Sequence, residues 1–156
     1  MYNLIVSKFK KGQVIQMSNA LYTATSTATG GRQGHVQSSD NVLDLELTTP
    51  KELGGRGEEG KTNPEQLFSA GYSACFDSAL QLVAGQAKKK INSTVSASVS
   101  IAKEGEGFGL AVELTVEIEN VTQAEAEELV EKAHKVCPYS RAIDGNVEVK
   151  RTAIAK

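Results

Sequence analysis

Two cysteines in 156 residues are too few for a disulfide scaffold. No apolar run approaches the roughly 18 residues that a membrane span needs. Basic residues are in no excess: the formal net charge is −2 and the pI about 5.8. That removes the electrostatic footprint expected of a nucleic-acid partner. The one basic run, Lys88 to Lys90, follows an apolar helical pattern and reads as favourable charge at that helix's C-terminus. At the N-terminus a short apolar run precedes Lys8, Lys10 and Lys11, the reverse of the order in a secretory signal. A cytoplasmic location is therefore expected. In such a compartment a bond between the two cysteines would be transient and chemical rather than structural. What is present is an ordinary globular composition, 40% hydrophobic and 23% charged, without repeats or low-complexity tracts.

Residues 1–17 differ in character from the rest and form an extension of uncertain role, leaving 18–156 as a single domain. The Thr-rich run from Leu21 to Thr29 suits a strand, and Gly30-Gly31 ends it as a tight turn would. A short strand resumes over Val36 to Ser38. After the Asp40-Asn41 turn, Leu43, Leu45 and Leu47 alternate with polar residues, predicting a third strand with one buried face. A long polar loop with four glycines follows, from Pro50 to Asn63. Asn63-Pro64-Glu65 has the chemistry of a helix start: an N-cap, a proline at the first helical position and an acid in the first turn. The helix is expected to reach about Ala87. It carries only Glu65 and Asp77 as charges, so burial over most of its girth is expected. Its many small residues allow another backbone to approach.

Two alternating strands follow, one through Val95, Val99 and Ile101 and one from Leu110 to Ile118, with Gly105 and Gly107 at the turn between them. Thr122-Gln123-Ala124-Glu125 matches a capping box, opening a helix to about Lys135. Val147 and Val149 begin a last strand. The order βββ-α-ββ-α-β predicts an α+β fold, with antiparallel sheets around a buried central helix, rather than a parallel α/β sheet.

Cys75 lies on the helical stripe Phe68, Tyr72, Cys75, Ala79 and Leu82. Position alone fits a buried small hydrophobe as well as a nucleophile. Cys137 precedes Pro138 at a helix end and is equally ambiguous. Three chemistries compete on residue types alone. A zinc site could draw on His35, Cys75, His134 and Cys137, but only His134 and Cys137 have a usable local spacing. His134 by itself reads as a charge partner at its helix C-terminus. A small-ligand or interaction module could carry incidental thiols. A general disulfide oxidoreductase would show Cys-x-x-Cys, whereas 62 positions separate these cysteines.

Three longer segments discriminate among these readings. KTNPEQLFSAGYSACFDSAL, from Lys61 to Leu80, resembles the first-cysteine signature of the organic hydroperoxide resistance family. VCPYSRAIDGNVEV, from Val136 to Val149, is similar to the family's second-cysteine signature. TATGGRQGHVQSSDNVLDLELTTP, from Thr27 to Pro50, resembles its arginine segment. The three stand in the family's order, and the likeness spans roughly Ala20 to Val149. The broader family includes osmotically inducible relatives; the Pro-Glu-Gln-Leu-Phe and Cys-Pro-Tyr-Ser wording resembles the hydroperoxide-resistance branch.

The resemblance implies an OsmC-like fold, an intertwined homodimer and a peroxidase with no bound cofactor. Cys75 would be the peroxidatic thiol and Cys137 the resolving thiol. Arg32 would hold the Cys75 thiolate and the peroxide, and Glu65 would orient Arg32. Organic hydroperoxides would be substrates, and an external dithiol, dihydrolipoamide or a lipoylated protein, the reductant. Phe68, Tyr72 and Phe76 offer apolar surface suited to alkyl or fatty-acid hydroperoxides. Of the four arginines, Arg141, close to Cys137 in sequence, is the main rival to Arg32. Glu65 and Cys75 are ten residues apart, roughly 15 Å along a straight helix. One arginine can hardly reach both, so either the helix breaks near Ser69 to Gly71 or one site draws on two chains.

Overall fold

A computed structural model describes residues 19–156; the extension expected over residues 1–17 lies outside the described residues. The chain is α+β. Its first three strands, β1 (Ser26–Thr29), β2 (His35–Ser38) and β3 (Asp44–Glu46), form an antiparallel sheet in the order β1-β2-β3. β1 is shorter than the Thr-rich run suggests, since Leu21 to Thr25 form no strand. Between β1 and β2 the chain reverses through Gly30 and Gly31, both at positive φ (73° and 57°), into a short 3-10 turn over Gly31–Gln33. That left-handed conformation favours glycine, and it sets Arg32 at the apex.

β3 leads into a clamp that closes the glycine-rich loop. Thr62 donates to the Glu46 carbonyl and Thr48 donates to the Thr62 carbonyl, each at 2.9 Å. The chain thereby enters helix α1 (Pro64–Gln86) from a fixed direction. The expected cap is present: the Asn63 side chain accepts from the Gln66 amide at 2.9 Å, with Pro64 at the first helical position. Tyr72, Phe76, Ala79, Leu80, Val83 and Ala84 form the buried face of α1. Ala70, Ala74, Ser78 and Leu82 lie exposed on the other side. Full burial within the chain is thus confined to one side, where burial over most of the girth was expected. The helix lacks charge on a face that the described residues leave uncovered.

β4 (Ser93–Glu104) and β5 (Gly107–Ile118) make a long antiparallel hairpin. Helix α2 (Gln123–Val136) begins with the capping box read from the sequence, both halves formed. A short helix α3 (Pro138–Ile143) comes next, then β6 (Glu148–Ala155), which pairs parallel to β5. The second sheet is therefore mixed, in the order β4-β5-β6. α1 packs over β4, α2 over β6, and the two helices touch. The core between them and the sheet contains Val112, Leu114, Val116 and Ile118, every second residue of β5. Among the described residues the first sheet has no such cover: every β1 residue is exposed, as are Val42 and Leu43.

Candidate active site

The two cysteines meet at the junction of α1, α2 and α3. Cys75 sits half-buried on α1, one turn beyond Tyr72. Cys137 ends α2 and caps α3 in an extended conformation, φ −61° and ψ 123°. Pro138 imposes that conformation by excluding helical geometry from the residue before it. The same proline then occupies the first position of α3, where its missing N–H costs nothing. The corner turns the fully buried Cys137 inward. Its thiol faces Cys75 with the sulfurs 3.7 Å apart, and both thiols are free.

The surroundings of Cys75 pull its acidity in opposite directions. Burial pushes the thiol up, a hydrogen bond from the Tyr139 backbone lowers it, and the nearby Cys137 raises it again; the net direction is upward. Arg32 is not among the groups acting on Cys75 in the single chain.

Arg32 instead makes a two-pronged ion pair with Glu65, Nη1 to Oε2 at 2.7 Å and Nη2 to Oε1 at 2.6 Å. The pair pins the β1–β2 turn to the first turn of α1. It holds the Glu65 carboxyl below the usual carboxylate range and the Arg32 guanidinium above its ordinary value, in both cases chiefly through the hydrogen bonds they share. α1 runs unbroken from Pro64 to Gln86, so the break considered near Ser69 to Gly71 does not exist. Arg141, the rival arginine, is exposed on α3. Arg56 pairs with Glu58, and Arg151 grips Glu131 and the Val149 carbonyl.

The aromatic residues divide between core and rim. Tyr72 and Phe76 are fully buried in the core, whereas Phe68 is only partly covered. Phe68, Tyr72 and Tyr139 form a cluster with ring centroids 5.7–5.9 Å apart. Sequence reasoning assigned no role to Tyr139 or Ser140. Tyr139 lies over Gly71, where an added Cβ would come within 2.6 Å of the tyrosine hydroxyl. Ser140 is buried and shares a 2.7 Å hydrogen bond with the Tyr72 hydroxyl. Gly71 beside Tyr72, in register with Tyr139-Ser140, is the signal that carries this contact. A cleft of about 380 Å³ opens beside Glu65, lined in part by Leu53, Ser69, Val99 and Ile101, and neither cysteine borders it.

The residues weighed for zinc do not converge. His35 bonds to Asp44 across β2 and β3. His134 is half-buried on α2, its Nδ1 buried without a hydrogen-bond partner among the described residues. Burial and Arg151 both lower its pKa, which opposes the positive charge expected of a helix-end partner. Among the described residues no three His, Cys, Asp or Glu side chains group so as to hold a metal ion. Among the same residues no helix is long and apolar enough to cross a membrane.

A family model described as OsmC-like protein matches residues 56–151. The organic hydroperoxide resistance protein of Xanthomonas axonopodis pv. citri is 54% identical over 134 residues, covering 85% of this chain and 94% of that protein. The organic hydroperoxide resistance protein OhrA of Bacillus subtilis is 52% identical over 135 residues, covering 85% and 96%. The crystal structure of an organic hydroperoxide resistance protein from Elizabethkingia anophelis superposes with a TM-score of 0.83 at 55% identity. It covers 88% of this chain and 99% of that one.

Proposed function

The chain belongs to the OsmC-like family, among the organic hydroperoxide resistance proteins, and from that premise we propose that it is a cysteine-based peroxidase for organic hydroperoxides. The observation that carries this reading is the 3.7 Å approach of the Cys75 and Cys137 sulfurs. The Cys75 thiolate attacks one peroxide oxygen, the O–O bond breaks, and the alkoxide leaves as an alcohol after taking a proton. Cys75 is then a sulfenic acid. The Cys137 thiol condenses with it, the S–O bond breaks, and the new disulfide forms with loss of one water. Contraction from 3.7 Å to a bond of about 2.05 Å asks for little movement. Disulfide formation also shields Cys75 from irreversible oxidation. A dithiol donates two electrons and two protons to restore both thiols; a dihydrolipoyl group, free or on a protein, has that chemistry in one molecule.

Cys75 needs a positive neighbour, since burial alone keeps it protonated at neutral pH. Arg32 is the residue for this role, held ready by Glu65, and it also stabilises negative charge on the departing oxygen. Because α1 is unbroken and Arg32 stays with Glu65, the reading takes Cys75 from one chain and Arg32 and Glu65 from a second copy. A homodimer also accounts for the uncovered first sheet and the uncharged, exposed face of α1. In this reading residues 18–156 act as one cytoplasmic domain with no bound cofactor. Phe68, packed edge-on against the buried Tyr72, with Phe76 on the far side of that ring, gives apolar footing to an alkyl or fatty-acid chain.

Steady-state reduction of cumene hydroperoxide, with dihydrolipoamide and thioredoxin compared as donors, tests the assignment. Turnover with dihydrolipoamide well above that with thioredoxin supports it. No turnover with either rejects the peroxidase and leaves a binding module.

A further inference from the structure

We propose that the buried hydrogen bond between Tyr72 and Ser140 is a positioning device that holds Cys137 for condensation with oxidised Cys75. The inference rests on the peroxidase reading above and adds two residues to it. Tyr72 and Ser140 are 0% and 1% exposed, and their hydroxyls are 2.7 Å apart. Tyr72 lies three residues before Cys75 on α1, and Ser140 lies three residues after Cys137 on α3. The hydrogen bond therefore sits about one helical turn from the sulfur contact on both helices at once. Two ties side by side fix both the separation of the helices and the rotation of α3.

α3 needs such a tie. Six residues hold little helical stability of their own. Its start at the Pro138 corner is rigid, but its seat on α1 is set by tertiary contacts. Tyr139 packs over Gly71 there, leaving room for no side chain at that position. Burial of two hydroxyls gives small net stability over an apolar pair of the same shape. Register, and not stability, is what this pair supplies. Register matters because the sulfurs must close by about 1.7 Å along a defined line to reach bonding distance, and errors near 1 Å slow a positioned reaction severely.

Cys75 sulfenic acid has two fates: condensation with Cys137, losing water, or attack on a second hydroperoxide to give the sulfinic acid and an alcohol. The ratio of these fates reads the placement of Cys137 and is insensitive to a general loss of stability. Ser140→Ala and Tyr72→Phe each remove one hydroxyl without adding bulk, and Ser140→Thr keeps it. The full-length reduced proteins, held well below their unfolding temperatures, are pulsed with graded cumene hydroperoxide, and disulfide and sulfinic acid are counted by intact mass. In Ser140→Ala, consumption of the first equivalent of hydroperoxide keeps the wild-type rate. In both Ser140→Ala and Tyr72→Phe the disulfide-to-sulfinic ratio falls about three- to tenfold, the range one lost hydrogen bond spans, and Ser140→Thr restores it. A wild-type ratio in both hydroxyl-deleted variants overturns this inference alone. A wild-type protein that forms no Cys75–Cys137 disulfide overturns the peroxidase reading and this inference with it.

Discussion

Arg32 grips Glu65 with both terminal nitrogens, at 2.7 and 2.6 Å, and within its own chain has no hold on Cys75. The acid is thus occupied in pairing with a guanidinium, and the burial of Cys75 opposes the ionisation that its proposed chemistry requires. Two consequences can be measured on the ion pair and on the thiol separately.

The first concerns stability against pH. Arg32 depresses the folded-state pKa of Glu65. A depressed carboxyl stabilises the fold above its unfolded pKa of about 4.3, and that stabilisation disappears as pH falls through the lower folded value. Glu65→Gln should cost about 1 kcal/mol at pH 7, as for a partly screened pair. In thermal melts the gap between wild type and variant should narrow as the pH is taken below about 4. A gap that stays constant into acid would mean the pair contributes nothing through its charge.

The second concerns the thiol. Only the thiolate is alkylated, so a raised pKa lowers reactivity at fixed pH and moves the rate's midpoint upward. With Arg32 removed, burial dominates, and the midpoint for Cys75 in Arg32→Ala should lie above the ordinary thiol value of about 8.5. In the wild-type protein, with Arg32 of a second copy beside Cys75 as proposed, it should lie below. Iodoacetamide rates from pH 5 to 10, read on Cys137→Ser backgrounds, check this; coincident profiles would remove Arg32 from the site.

The cysteines should be unequal. Cys75→Ser should abolish peroxide reduction. Cys137→Ser should complete one turnover and then accumulate sulfinic acid at Cys75. Stopped-flow consumption of hydroperoxide with mass analysis of the protein separates the two. Equal loss of the first turnover in both variants would contradict the assignment of roles.

Away from the site, Thr122→Ala deletes one half of a formed capping box. It should cost about 1 kcal/mol, lowering the melting temperature by roughly 2–4 °C for a chain of this size, and leave peroxide consumption unchanged.

Much of the fold was legible in local chemistry. Asn63-Pro64 and Thr122…Glu125 mark helix starts because orphaned amides need those side chains. The alternation from Leu110 to Ile118 marks a strand with one face in the core. The direction of β6 was not legible, since alternation is the same in parallel and antiparallel pairs. α3 was hidden because Pro138 signals the end of one helix and suits the start of the next equally well. For the site, the meeting of Cys75 and Cys137 across 62 positions was implied by family resemblance; no periodicity encodes it. His134 shows the limit of reading charge from residue type: its place in the last turn of α2 suggests a cation, and burial favours the neutral ring.

If Cys75 and Cys137 form one redox couple as proposed, peroxide must consume both thiols of the same chain. Reduced protein treated with a slight excess of cumene hydroperoxide, then titrated for thiols and digested, tests it most directly. The expected result is loss of two thiols per chain and one intrachain peptide pair joining Cys75 to Cys137. Retention of both thiols, or a crosslink between chains in place of that pair, would contradict it.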